Sequence, residues 1–236
     1  MPFNPYSSKG VNILKKPDNV KKIIGLMKKE MEKYDQPIVS SLDKAGIKKT
    51  PFTTLISCLL SLRTKDEITE RASIKLFKKF DTAEKLSKAS KKEIQKIIYP
   101  VGFYRVKAER IINISRELVE KYHGKVPNNF NELLKLKGVG KKTASIVMVY
   151  GHNNPDYIPV DVHVHVISNR LGWVNSKSPD DTMKKLMEII PKKYWSDINH
   201  LFVQYGKKKI CTTISPWCSK CPIEEYCKKI DVKKHR

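Results

Sequence analysis

Leu136-Lys137-Gly138-Val139-Gly140-Lys141-Lys142-Thr143-Ala144 is the stretch on which the reading of this chain turns. Its two glycines let the backbone turn tightly and come close to a ligand with no side chain in the way. An apolar helical segment follows directly, through Ile146, Val147, Val149 and Tyr150. Backbone N–H groups at such a turn and helix start form a cradle for phosphate. Lys142 falls in the first helical turn, where its amine is either one more phosphate contact or a nucleophile. Lys141 beside it is the better candidate for the phosphate role.

Outward from the hairpin, nearly every segment reads as helix. Asp18 is placed to cap a helix whose apolar positions Val20, Ile23, Ile24, Met27, Met31 and Tyr34 follow a 3.6-residue period. Thr50-Pro51 opens another, buried through Leu55, Ile56, Leu59 and Leu60, and a third runs from about Asp66 to Phe80. Cys58, set among those apolar positions, reads as a core residue. Ser90 with Glu93 spells a capping box. Tyr104 to Tyr122 is a long amphipathic helix ending at His123-Gly124, Ser178-Pro179 starts one more, and Tyr194 to Tyr205 makes the last. One stretch resists. Ile158 to Val166 alternates like a half-buried strand. A lone strand cannot satisfy its backbone groups and no partner strand is visible, so a helix starting near Asp161 is expected instead. His163 and His165 sit at i and i+2, point apart on such a helix, and read as structural. The first dozen residues read as a mobile tail.

Composition excludes several classes. With 40% hydrophobic and 30% charged residues the chain is neither disordered nor membranous. Its longest apolar stretch, around Leu55 to Leu62, is far short of the ~20 residues that span a bilayer. The N-terminus lacks a charged head before an apolar run, so a soluble protein of the cytoplasm is expected, nucleoid-associated if the cell is prokaryotic. The net charge of +23 points to a polyanionic partner, since each Lys or Arg that neutralises a phosphate releases a condensed counterion. No heptad seam or spare apolar face stands out, so a monomer is expected.

Cys211, Cys218, Cys221 and Cys227 form a C-x6-C-x2-C-x5-C series. Disulfides do not suit an unexported chain. Structural zinc usually uses two C-x-x-C knuckles or adds His, and only Cys218 and Cys221 form such a knuckle. Four thiolates on one compact loop suit a [4Fe–4S] cluster, and the spacing favours it over zinc.

Taken together, the chain resembles the endonuclease III family of DNA glycosylases, in the helix-hairpin-helix glycosylase superfamily. The hairpin at 136–144, the Val-Asp-x-His-Val segment at 160–164 and the cysteine spacing carry the likeness. Leu60-Ser61-Leu62-Arg63-Thr64-Lys65-Asp66 resembles the family's early loop, and Val101-Gly102-Phe103-Tyr104 with Lys107-Ala108 its later one. The resemblance runs from about residue 40 to 230 and implies an all-α, bilobal fold. A six-helix barrel with the helix-hairpin-helix would occupy 46–154, and an iron–sulfur cluster domain 1–45 plus 155–236. Duplex DNA containing damaged bases or abasic sites would bind between the lobes, with the damaged nucleotide flipped out of the stack.

The resemblance also assigns roles. Lys142 matches the nucleophilic lysine of glycosylases that also act as lyases, attacking C1′, expelling the base and leaving a Schiff base for β-elimination. A lysine amine with an ordinary pKa of ~10.4 is protonated at neutral pH, so the site must depress it. The positive end of the following helix contributes ~0.3–1 kcal/mol, and desolvation must supply the rest. Asp161 is the matching carboxylate, able both to cap its helix and to stabilise positive charge growing at C1′. Gly138, Gly140 and Lys141 would grip phosphates, while Arg63 and Phe103 would fill the gap that the flipped base leaves. Arg63 stands where relatives often carry Gln, and Val162 where Thr is commoner. The four cysteines would ligate the cluster. The activity implied is a bifunctional N-glycosylase and apurinic/apyrimidinic lyase for oxidised pyrimidines in base excision repair. The alternative is a monofunctional mismatch glycosylase for uracil, thymine or adenine, and Lys142 argues against it.

Overall fold

A computed structural model describes residues 16–34, 42 and 45–236 of the chain; the tail read from the first dozen residues lies outside them. The described residues contain helices and no strand. The chain divides into two compact units, one spanning Pro37–Asp156 and the other Met1–Gln36 with Tyr157–Arg236.

Within the first unit, helices α2 (Pro51–Ser61), α3 (Asp66–Phe77), α4 (Ala83–Ser87), α5 (Lys91–Ile98), α6 (Tyr104–Tyr122), α7 (Phe130–Lys135) and α8 (Lys141–Ile146) follow in chain order. The last continues into a π-helical turn over Val147–Gly151. α2 is the hub. It buries Phe52, Thr53, Leu55, Ile56, Leu59 and Leu60, and packs against α3, α6, α8 and the π turn. A helix apolar around most of its circumference is stable only when surrounded. Its start is as the sequence predicts: Pro51 occupies the first turn and Thr50 Oγ1 accepts from the Thr53 amide at 3.1 Å. Thr53 returns the bond, accepting from the Thr50 amide at 2.8 Å.

Ser90 forms only half of its expected box. Its hydroxyl accepts from the Glu93 amide at 3.2 Å, but the Glu93 carboxylate pairs with Lys79 instead. α6 ends as predicted, with His123 (φ 52°) and Gly124 (φ 77°) both left-handed, and the Gly124 amide donating to Leu118 O at 2.9 Å. α3 closes at Phe77, three residues earlier than expected.

The second unit holds α1 (Val20–Met31), α9 (Val162–Arg170), α10 (Pro179–Ile189) and α11 (Trp195–Lys207). Here α11 is central, burying Ile198, Leu201, Phe202 and Tyr205 against α1 and α9. The expected cap at Asp18 is not used. Asn19 occupies the N-cap position without a side-chain cap bond, because its Oδ1 accepts from the Trp173 indole at 3.2 Å. The alternating stretch at 158–166 divides as anticipated: the Pro159 carbonyl is satisfied by the Asn199 amide at 2.6 Å, and a helix begins after Asp161.

Between α7 and α8 lies the glycine hairpin, and its two glycines do different work. Gly138 has φ 91°, and a Cβ there would meet Arg110 Cδ at 2.8 Å. Gly140 has an ordinary φ of −96°, and a Cβ there would meet nothing within 4 Å. The turn needs Gly138 for its conformation; at Gly140 glycine leaves the surface open. Gly138→Ala is therefore expected to destabilise the protein by about 1–3 kcal/mol in urea unfolding, with Gly140→Ala close to wild type.

Candidate active site and nucleic-acid interface

α8 starts at Gly140, so Lys141 and Lys142 are its first two residues. Lys142 is exposed and Lys141 half-buried. Thr143, Ala144 and Ser145 behind them are buried, which fixes the helix face that carries the amine outward. The burial expected around a catalytic lysine is thus not supplied by the chain's own packing. Cys58 on α2 is half-buried rather than part of the closed core; burial pushes its thiol up to about 12, and the charge of Lys142 acts in the opposite direction. The Lys142 amine therefore lies within electrostatic reach of α2.

Asp161 is the N-cap of α9. Its Oδ1 accepts from the His163 amide at 2.9 Å and the Val164 amide at 3.0 Å. Two donors hold the carboxylate in a single orientation, whatever the neighbouring side chain. Val162, next to it, is largely exposed at 53%. His163 and His165 are indeed structural. The ring of the first packs over Gly206, where a Cβ would fall 1.9 Å from Nδ1, and the Nδ1 of the second lies 2.6 Å from Thr182 Oγ1.

Arg63 and Phe103, on the loops after α2 and before α6, come together. Both take left-handed backbone conformations, with φ of 52° and 58°, and the Arg63 guanidinium lies 5.9 Å from the centre of the Phe103 ring. Phe103 is 62% exposed, so it is not a core residue. Such an aromatic next to a cation is a concentrated, outward-facing feature of the unit.

In the second unit, Cys211, Cys218, Cys221 and Cys227 line one cavity, with Ile167, Leu171 and Tyr205 among its walls. No three His, Cys, Asp or Glu side chains among the described residues converge closely enough to share one metal ion. The thiols stand around a space rather than at a point. Burial pushes Cys221 up to about 12 and also raises Cys218 and Cys227, so bare thiolates are disfavoured there without a compensating cation. Arg170, which the sequence did not single out, donates to Cys211 Sγ at 3.2 Å and to the Thr212 and Thr213 carbonyls at 2.6 Å each. It pins the start of the cysteine loop to the end of α9. Its signal in the sequence was only a basic residue in a helix's last turn.

Known proteins resemble the chain in sequence and in fold. A family model described as HhH-GPD superfamily base excision DNA repair protein matches residues 56–192. Endonuclease III of Thermotoga maritima is 45% identical over 197 residues, 84% of this chain and 92% of that one. Endonuclease III of Rickettsia felis is 36% identical over 77% of this chain and 84% of its own length. Among solved structures, a trapped endonuclease III–DNA covalent intermediate, in its estranged-adenine complex, is 32% identical with a TM-score of 0.76, covering 89% of this chain and 95% of that one. A thermostable thymine-DNA glycosylase is 25% identical with a TM-score of 0.74, covering 88% and 94%. The all-helical architecture is that of these proteins. On this similarity along most of its length, the chain belongs to the HhH-GPD superfamily of base excision DNA repair proteins and, within it, to the endonuclease III family.

Proposed function

We propose that this chain removes oxidised pyrimidines from duplex DNA and then cuts the strand through a lysine Schiff base, with Lys142 as nucleophile. Its family makes it a DNA glycosylase and apurinic/apyrimidinic lyase of base excision repair, acting on DNA. The observation that carries the finer reading is Lys142 itself, an exposed amine two residues past the Gly140 turn, on a helix whose other face is buried. A relative of the same fold has been caught as a covalent intermediate with DNA, the product that such an amine would form.

The chemistry follows from what each group does. DNA seated on the hairpin covers Lys142 and strips its water, which favours the neutral amine over the ammonium. The amine attacks C1′ and the base departs with one of its protons; the C1′–O4′ bond then opens, O4′ takes up a proton, and C1′ is left joined to nitrogen as a protonated imine. The imine acidifies the C2′ hydrogen, and its removal expels the 3′ phosphate. Asp161, held in one orientation by two amides, stabilises positive charge on the sugar as the base leaves. The open surface at Gly140 admits a phosphate to the amides of the hairpin, with Lys141 beside it. Arg63 and Phe103 enter the gap left by the flipped nucleotide. Phe103 supplies the apolar wedge, and Arg63 favours bidentate contact to guanine where an amide would bond more evenly. The protein is expected to act in the cytoplasm; no helix among the described residues is long and apolar enough to cross a membrane.

The four cysteines fit a [4Fe–4S] cluster. Each iron of such a group takes one thiolate, and what supports the reading is that all four cysteines line one cavity. When bound, it supplies a cross-link of the 211–227 loop that is also capable of electron transfer. Arg170 and the cavity's apolar walls orient the thiols and keep water from them.

Borohydride added during reaction with a thymine-glycol duplex is expected to trap a covalent protein–DNA adduct that disappears in Lys142→Ala. Base release with no adduct would overturn the Schiff-base reading in favour of mismatch glycosylase chemistry. Asp161→Asn keeps a good cap and removes the charge, so turnover is expected to fall by about 10²-fold or more while thermal stability and affinity for abasic-site DNA stay near wild type. Parallel loss of stability and rate would reduce Asp161 to a cap. The purified protein is expected to contain iron and acid-labile sulfide in equal amounts, with visible absorption that bleaches on reduction; a colourless, zinc-loaded protein would count against the cluster.

A further inference from the structure

Lys107 is a lysine that the reaction does not use and that the chain buries almost completely, at 4% exposure. It sits in the first turn of α6, and its amine reaches back to the loop after α2. Nζ donates to Leu60 O at 2.7 Å, to Leu62 O at 2.5 Å and to Thr64 Oγ1 at 3.0 Å. Three acceptors match the three protons of an ammonium. Burial, and then the nearby Arg110 charge, push its pKa down to about 8, which still leaves it mostly charged at neutral pH.

The position of this amine is informative. The last carbonyls of a helix have no partner within it and carry the negative end of its dipole. α2 has no basic residue in its own last turn, so Lys107 supplies from another helix the cation its C-terminus lacks. The same contact joins two loops. Thr64 Oγ1, which Lys107 holds, also accepts from the Gly102 amide at 3.1 Å. Gly102 lies so close beneath that a Cβ would come 2.6 Å from Arg63 O. On either side of this junction stand Arg63 and Phe103, both in left-handed conformations that residues with a Cβ rarely adopt. Such conformations persist only where the surroundings over-determine them.

We propose that Lys107 is a positioning residue for damaged duplex DNA, locking the Arg63 and Phe103 loops into one rigid, two-residue wedge. The inference rests on the role given above to Arg63 and Phe103. It adds that their aim comes from a buried ammonium at the end of α2. A merely structural Lys107 would affect every activity alike. A wedge-positioning Lys107 affects only substrates in which a gap opens in a stacked duplex.

The test compares cleavage of a thymine-glycol duplex with cleavage of an abasic site in a single-stranded oligonucleotide, where no stack has to be filled. Arg63→Ala/Phe103→Ala is expected to lose duplex activity selectively; if the duplex reaction were unchanged, the wedge role itself would fall. Lys107→Met is expected to lower kcat/KM on the duplex by about tenfold or more and to leave single-strand cleavage unchanged. Added to Arg63→Ala/Phe103→Ala, it should cost nothing further, because it acts through residues already removed. Thr64→Val, which breaks the link between loops and spares two of the three Lys107 bonds, should give the same selectivity with a smaller loss, and serves if Lys107→Met does not fold. Equal losses on both substrates, additive loss in the combined variant, or a wild-type duplex rate would each overturn the assignment while leaving the wedge reading in place.

Discussion

Enclosure of α2 by its neighbours is the interaction on which the rest of the Pro37–Asp156 unit depends. Fully burying an aliphatic side chain contributes about 1.5–3 kcal/mol, and Leu55, Ile56, Leu59 and Leu60 are each at most 1% exposed. That burial requires α3, α6, α8 and the π turn to stand around one rod. Each functional feature of the unit is attached to it. α8, which packs against it, carries Lys142, the Arg63 loop leaves its C-terminus, and α6, with Phe103 just before it, brings Lys107 to that same end.

The π turn after α8 belongs to the same arrangement. A six-residue helix is too short to be stable alone, and its extension through Val147–Gly151 buries Val147 and Met148. Gly151 completes the fit, since a Cβ there would come 3.0 Å from Pro51 Cα at the start of α2. The lysine-bearing helix is thereby tied at its far end to the hub. Its near end, at Lys142, is exposed.

Charge in this protein works at two scales. The net charge of +23 is a long-range attraction for DNA that salt screens. Individual buried cations do something different. Lys107 and Arg170, 4% and 6% exposed, spend their donors on carbonyls, and on a hydroxyl or a thiol, at helix ends and loop starts. Each bonds to a loop, the one that carries Arg63 in one case and the one that opens at Cys211 in the other. Arg170 was not distinguishable in the sequence from the many lysines and arginines at the surface, and Lys107 was marked there only as part of a loop motif.

What was legible in the amino-acid sequence was whatever depends on neighbours in the chain. The Thr50 and Asp161 caps, the left-handed end at His123-Gly124, the hairpin glycines and the cysteine spacing all act over a few residues, so local pattern suffices to read them. The helix at 162–170 was legible by elimination, because a lone strand would leave its backbone unpaired. Tertiary structure decided what depends on distant partners. The cap expected at Asp18 is not used, Asn19 at the N-cap position bonds Trp173 instead of its own helix, and Glu93 is drawn away from its expected box by Lys79. The exposure of Phe103 comes with a loop whose Gly102 amide is bonded to the distant Thr64. Lys107 meets α2 across more than forty residues of chain, and no periodicity records where a flexible side chain finds its acceptors. Local rules specify which conformations the segments adopt. Only their packing specifies which buried cation completes which helix.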